Sequence, residues 1–201
     1  QGALGTPQSI ANTISKSIPL AFTGLAVAMG SRCGMLNIGA EGQLHAGAMA
    51  SVITALTLGS LPAPILLVVS ILAGILAGMA VGSVPGIFKA RFSTNEVIVA
   101  IMLNYICTLF TSYLVNGPFK TEGSTAQTEL IAEGIWFGRL LPRTQLTYAL
   151  FLLIFIAAAM YVFLWKTSVG YQLRAVGANP SAAGTAGIRV NLFLIMSMTL
   201  S

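Results

Sequence analysis

The stretch Asn37-Ile-Gly-Ala-Glu-Gly-Gln43 sets two side-chain amides and a carboxylate between long apolar runs, spaced by Gly39 and Gly42. Polar groups at membrane depth are costly unless they face a protein interior or a water-filled path. This pattern points to a broken helix lining a passage, and so to transport. Each residue also has an architectural reading. Glu41 can cap the helix starting near Gly42, or pair with Arg32 or Lys89. Asn37 can satisfy backbone groups left unpaired at the break, and the two glycines would then permit the turn. His45 follows with no second ligand nearby and reads as a packed or interfacial histidine.

A later apolar run begins Thr94-Asn95-Glu96 and continues to Asn104, Thr108 and Thr111. At about 100° per residue, the last three fall within an arc of about 60°. Lipid disfavours such a stripe, so it should face the bundle or a cavity, where interhelical hydrogen bonds explain it as well as solute contact does. Glu96, near a helix start, meets the helix dipole favourably.

The segment from Lys166 to Arg189 is different in kind. Thr167 to Gly177 is too short and polar to span a membrane, yet mixes Val169, Leu173 and Val176 with Gln172 and Arg174. Asn179-Pro180 reads as an N-cap followed by proline at the first helical position. Ser181 to Ala186 can form a short helix that Gly187 would end. Two short helices make a firm, protruding surface. The small Ala182, Ala183 and Ala186 suit docking into a groove on another protein better than anchoring in lipid.

The elements that position these groups follow from composition. The chain is 56% hydrophobic and 7% charged, against roughly 25% charged in soluble domains. An all-α, polytopic transmembrane bundle with a broken helix is therefore expected. The net charge of +5 comes from ten Lys and Arg against five acids. With no basic run or basic-aromatic stripe, it reads as an orientation signal, not a nucleic-acid surface. Cys33 and Cys107 stand apart without a metal or redox motif and read as packing residues.

Five spans are expected at about 13–31, 43–60, 64–84, 96–116 and 146–165, with a sixth starting near 190. Pro62 and Pro64 punctuate the second connection, and Pro85-Gly86 should close the third span. Arg32, Lys89, Arg91, Lys166, Arg174 and Arg189 then fall on one side, assigned to the cytoplasm. Lys16, Lys120, Arg139 and Arg143 fall outside, the last three beside Glu122, Glu129 and Glu133. Gly74, Gly78 and Gly82 recur every four residues, so they share a helix face and allow close backbone approach. There is no initiator Met, and the last apolar run stops at Ser201. The expectation is a single transmembrane domain over 1–201, drawn from a longer subunit with further spans at both ends.

Taken together, the chain resembles the permease subunits of bacterial ABC importers for branched-chain amino acids, monosaccharides and nucleosides. The resemblance runs through Thr23-Gly-Leu-Ala-Val-Ala28, Gly34 to Gln43, Asn95-Glu-Val-Ile-Val99 and Met102-Leu-Asn-Tyr105. It continues in Gly170 to Gly177, Asn179-Pro-Ser-Ala-Ala183 and Gly187-Ile188. Asn-Ile-Gly-Ala-Glu-Gly-Gln looks most like the nucleoside permeases served by a lipoprotein of the basic-membrane-protein type. The resemblance implies that Gly170–Gly187, with Arg174, Gly177, Asn179, Pro180 and Ala183, holds a cytoplasmic coupling helix. It also implies a second permease subunit, identical or different, an external solute-binding lipoprotein and the bacterial inner membrane. No Gly-x-x-x-x-Gly-Lys-Ser/Thr loop is present, so ATP and its hydrolysis are expected on a separate ATP-binding cassette subunit and no cofactor on this chain. Asn37, Glu41, Gln43, Glu96, Asn104 and Tyr105 are the candidate pathway residues. Their amides and an aromatic face would suit a nucleoside, with a simple sugar or branched-chain amino acid as alternatives. An ion-coupled secondary transporter is the rival from another class, with Glu41 as its best acid, and a membrane scaffold is a second.

Overall fold

The computed structural model describes residues 5–121, 127–131, 134, 136, 138, 140, 144 and 146–201. Glu122, Glu133, Arg139 and Arg143, which the sequence places in an outer loop, lie outside the described residues. Among the described residues the chain folds into helices and no strand. Four long helices, α1 (Pro7–Arg32), α3 (Ala63–Phe92), α4 (Glu96–Asn116) and α5 (Ala149–Lys166), are long and apolar enough to cross a membrane. Between the first two lies α2 (Ala40–Thr57); after α5 come α6 (Ser168–Ala178), α7 (Pro180–Thr185) and α8 (Val190–Leu200).

The expected second span is α2, which falls short of that mark. It carries Glu41, Gln43, His45 and many small residues because it packs against α3 and α4. The third span runs further than expected. Pro85 and Gly86 do not close it; both are buried inside α3, which continues to Phe92. Proline removes one helical hydrogen bond, but here α8 packs against the same stretch, where a Cβ on Gly86 would lie 2.9 Å from Ile195 Cα. At 30 residues, α3 is about 45 Å long against a hydrocarbon core of about 30 Å. Lys89 and Arg91 therefore sit on its last turn and not in a loop.

The glycine stripe of α3 is a true seam. Gly74 meets Gly47 and Ser51 of α2, Gly78 faces the Gln43 carbonyl, and Gly82 stands against the Gln43 amide and Met198 O of α8. One face thus receives two helices in succession. Side chains at Gly74 or Gly82 would drive into neighbouring atoms.

A second core joins the far end of the molecule. Met29, Cys33, Leu164, Leu173, Val176, Ala183 and Phe193 are buried together from α1, α5, α6, α7 and α8. Leu173 and Val176 are fully buried, each worth roughly 1.5–3 kcal/mol of apolar burial. That core fixes the short helices to the long ones.

Candidate functional site

The broken helix is real. α1 ends in a Schellman turn: Gly34 takes φ 75, its N–H bonds Ser31 O, and the Met35 N–H bonds Gly30 O. Residues 33–39 then run without helix until α2 begins at Ala40. Gly39 caps α2 with φ −75, an ordinary value, and gives no side-chain hydrogen bond. The sequence suggests that Gly39 and Gly42 permit the turn; neither has a positive φ, and what they do is let α4 approach. A Cβ on Gly39 would stand 3.3 Å from Ala100 Cβ, and one on Gly42 only 2.7 Å from Asn104 Oδ1.

Three residues of α4, four apart, clamp the break. Asn104 Oδ1 accepts from the Gly42 N–H and its Nδ2 donates to Ile38 O, both at 2.9 Å. Ala100 is fully buried against Gly39. Glu96 pairs with Lys89 at 2.9 Å, and the Leu36 backbone amide also faces its carboxylate. The stripe over Asn104, Thr108 and Thr111 is only partly formed, since Thr108 is exposed. The working face of α4 is Glu96–Ala100–Asn104, with Asn95 capping the helix by accepting from the Val97 N–H.

On the other side of the break, Asn37 is fully buried. Its Nδ2 donates to Ser201 Oγ at 2.7 Å and to Gln43 Oε1 at 3.4 Å, while its Oδ1 has no partner. The Ser201 hydroxyl in turn donates to Ala26 O of α1. Asn37 thus ties the break to α1, α2 and α8 at once. Beside this knot opens a cavity of about 630 Å³ among α1, α2, α3, α5 and the end of α8, a volume typical of small-molecule sites. Gln43, Ser51, Thr23 and Ser201 are its polar lining, among Phe22, Leu44, Ile71, Ile75, Ile156 and Met160; among the described residues no charged one borders it.

The six candidate pathway residues are therefore divided. Gln43 lines the cavity, Asn37 is buried against it without reaching the lining, and Glu96 and Asn104 hold the opposite side of the break. Glu41 is exposed in the first turn of α2 and pairs with neither Arg32 nor Lys89, because Glu96 occupies Lys89. Its charge at the α2 N-terminus meets the helix dipole favourably. Tyr105 is 66% exposed on the outward side of α4 and away from the cavity.

The segment after α5 follows its caps closely. Thr167 Oγ1 accepts from the Gly170 N–H, Asn179 Oδ1 accepts from the Ala182 N–H, and Pro180 opens α7. Gly187, at φ 83, donates to Gly184 O while the Ile188 N–H bonds Ala183 O, a second Schellman ending. Several residues expected on a docking face point inward instead. A Cβ on Gly170 would overlap Phe163 O and Leu164 O of α5, and one on Gly177 would overlap Arg32 O of α1. Ala183 is buried. Arg174 Nε donates to Leu164 O at 3.1 Å with its guanidinium 4.0 Å from the Trp165 ring centroid. The outward face is carried by Tyr171, Asn179, Pro180, Ser181, Ala182 and Gly184.

Sequence reasoning passed over Ser201, Ala100 and Trp165. The i, i+4 spacing of Glu96, Ala100 and Asn104 was a signal for the second. Ser201 had none, because its partner lies 164 positions away.

The family model described as branched-chain amino acid transport system / permease component matches residues 9–201. A nucleoside ABC transporter permease protein of Lactococcus lactis is 33% identical over 99% of this chain and 57% of its own length. A guanosine ABC transporter permease protein of Bacillus subtilis is 33% identical over 100% of this chain and 58% of its own. A glucose ABC transporter permease protein of Haloferax volcanii is 34% identical over 89% and 50%. The chain thus spans about half the length of these curated relatives. No solved structure matches it. With four span-length apolar helices and a match over almost its whole length, the chain is a multi-pass membrane protein and belongs to the branched-chain amino acid transport system / permease component family.

Proposed function

We propose that this chain forms the membrane path of an ATP-driven importer that admits a nucleoside-like solute across the bacterial cytoplasmic membrane. The observation that carries the reading is the uncharged cavity beside the break, with the Gln43 amide and three hydroxyls set in apolar walls. A nucleoside offers an apolar base face and neutral hydrogen-bonding edges, which such a wall can match without burying an unpaired charge. A zwitterionic amino acid would need counter-charges that the lining lacks. A simple sugar is the second reading, favoured by the glucose permease among the relatives.

The power stroke belongs to partners. An ATP-binding cassette subunit binds and hydrolyses ATP, an external lipoprotein delivers solute, and a second permease subunit completes the path. The α6–α7 segment is the docking element. Two routes lead from it to Asn37: Gly177 rests on the end of α1 at Arg32, and the buried core with Ala183 and Phe193 leads into α8, whose Ser201 holds Asn37. Displacement of α6–α7 is in this way delivered to both sides of the break. An ion-coupled carrier would need an acid in the path, and Glu41 lies outside the cavity lining.

The test is uptake of labelled guanosine, ribose and leucine by cells carrying the complete system or lacking this subunit. Guanosine uptake lost only in the deletion supports the reading. Loss of ribose or leucine uptake alone replaces the solute, and uptake abolished by collapsing ion gradients at constant ATP replaces the mechanism.

A further inference from the structure

Where α1 and α5 end, one indole holds two guanidinium groups. Arg174 Cζ stands 4.0 Å and Arg32 Cζ 5.8 Å from the Trp165 ring centroid, both within cation–π range. Arg174 is anchored by its Nε bond to Leu164 O, which leaves its terminal N–H groups for another acceptor. Arg32 is exposed, and so is Lys166, the residue after Trp165 at the end of α5. No carboxylate lies within ion-pair distance of these three cations among the described residues, where the ion pair formed is Lys89–Glu96. The ring offsets part of their mutual repulsion, yet the cluster still lacks an anion.

Its position says which anion. Trp165 and Lys166 finish an apolar helix, the place where tryptophan and cations mark the headgroup level of a bilayer. Phe155 and Val162, seven apart on α5 and so on the same face as Lys166, are 70% and 51% exposed. They continue the site into a surface that an acyl chain can cover. A soluble anion would gain nothing from that stripe. We propose that Arg32, Trp165, Lys166 and Arg174 bind the phosphate of an anionic phospholipid, the guanidinium groups gripping its oxygens and its acyl chain lying along α5. A lipid held there bridges the end of α1, the end of α5 and α6.

The experiment uses the full-length subunit in nanodiscs, with Trp165 as reporter and Trp165→Phe as the background to subtract. Brominated phosphatidylglycerol is expected to quench Trp165 at a markedly lower mole fraction than brominated phosphatidylcholine. Arg32→Gln should reduce that preference about fivefold, as for one cation at an anionic surface; Arg32→Lys, which keeps the charge, should reduce it less. Equal quenching by the two lipids, or a preference untouched in Arg32→Gln, overturns the proposal. Displacement of the bound lipid by millimolar inorganic phosphate also overturns it, in favour of a free-phosphate site. Loss of the preference when the ATP-binding subunit is added overturns it in favour of a protein contact.

Discussion

Two stretches that each follow a long helix, residues 33–39 and the α6–α7 segment, solve the same problem in different ways. Each must satisfy backbone groups that helix ends leave open. The α6–α7 segment does so mostly with its own residues: Thr167, Asn179 and Gly187 supply two N-caps and a Schellman ending. The break between α1 and α2 has Gly34 of its own for this purpose and borrows Asn104 and Glu96 from α4, while Ser201 holds its Asn37 side chain. A self-capped segment can move as a body without losing its hydrogen bonds. A break held from outside changes whenever its holders move. On the proposed importer, that difference would suit the first to receive a push and the second to respond to it.

The largest effects should come from forcing the two regions apart. Gly177→Val places a side chain on Arg32 O, and overpacking against backbone should cost about 3 kcal/mol or more. The full-length subunit should lose thermal stability and the ATP-binding subunit should no longer co-purify. Retention of both would show that α6 does not bear on α1 as described.

Asn104→Ala comes next. It orphans the buried Gly42 N–H, at roughly 1–3 kcal/mol, and removes the exposed bond to the Ile38 carbonyl, which costs less. Thermal unfolding should fall by several degrees, with solute uptake falling in step. Full stability with lost uptake would recast Asn104 as a solute contact and not a clamp.

Gln43→Leu sharpens the comparison from the cavity side. It removes the polar wall and the Asn37 acceptor, so apparent solute affinity should weaken about tenfold, equivalent to about 1.4 kcal/mol. Stability should change less than in Asn104→Ala. An uptake KM equal to that of the parent would remove Gln43 from the path.

Glu96→Gln should cost about 1 kcal/mol or less, because its partner Lys89 is partly exposed. The loss should be largest at low salt, as unfolding midpoints over a salt series would reveal. Glu41→Ala should be smaller still, a few tenths of a kcal/mol from the α2 dipole. A large loss of ATP-driven uptake in Glu41→Ala, with stability retained, would revive the reading of Glu41 as a solute ligand.

Much of this was legible in the residues. The all-α bundle followed from 56% hydrophobic content with few charges. Asn179-Pro180 and Gly187 marked α7 to within a residue, and the four-residue glycine spacing on α3 marked a seam. Caps, spacing and hydropathy act over a few residues, so a linear sequence contains them. Pro85 misled for the same reason. Its local cost is real, but the packing of α8 against Gly82 and Gly86 outweighs it.

What the tertiary structure alone decided is partnership. Glu41, Glu96, Asn37 and Asn104 looked alike as polar groups in an apolar chain, each with a solute-binding and a structural reading. Which one is clamped, exposed or buried depends on contacts across 62 to 164 positions. Asn104 reaches Ile38 and Gly42, and Asn37 reaches Ser201. A side-chain amide carries donors and an acceptor in any setting. Its partners are chosen by how helices pack, and no spacing within one helix encodes that choice.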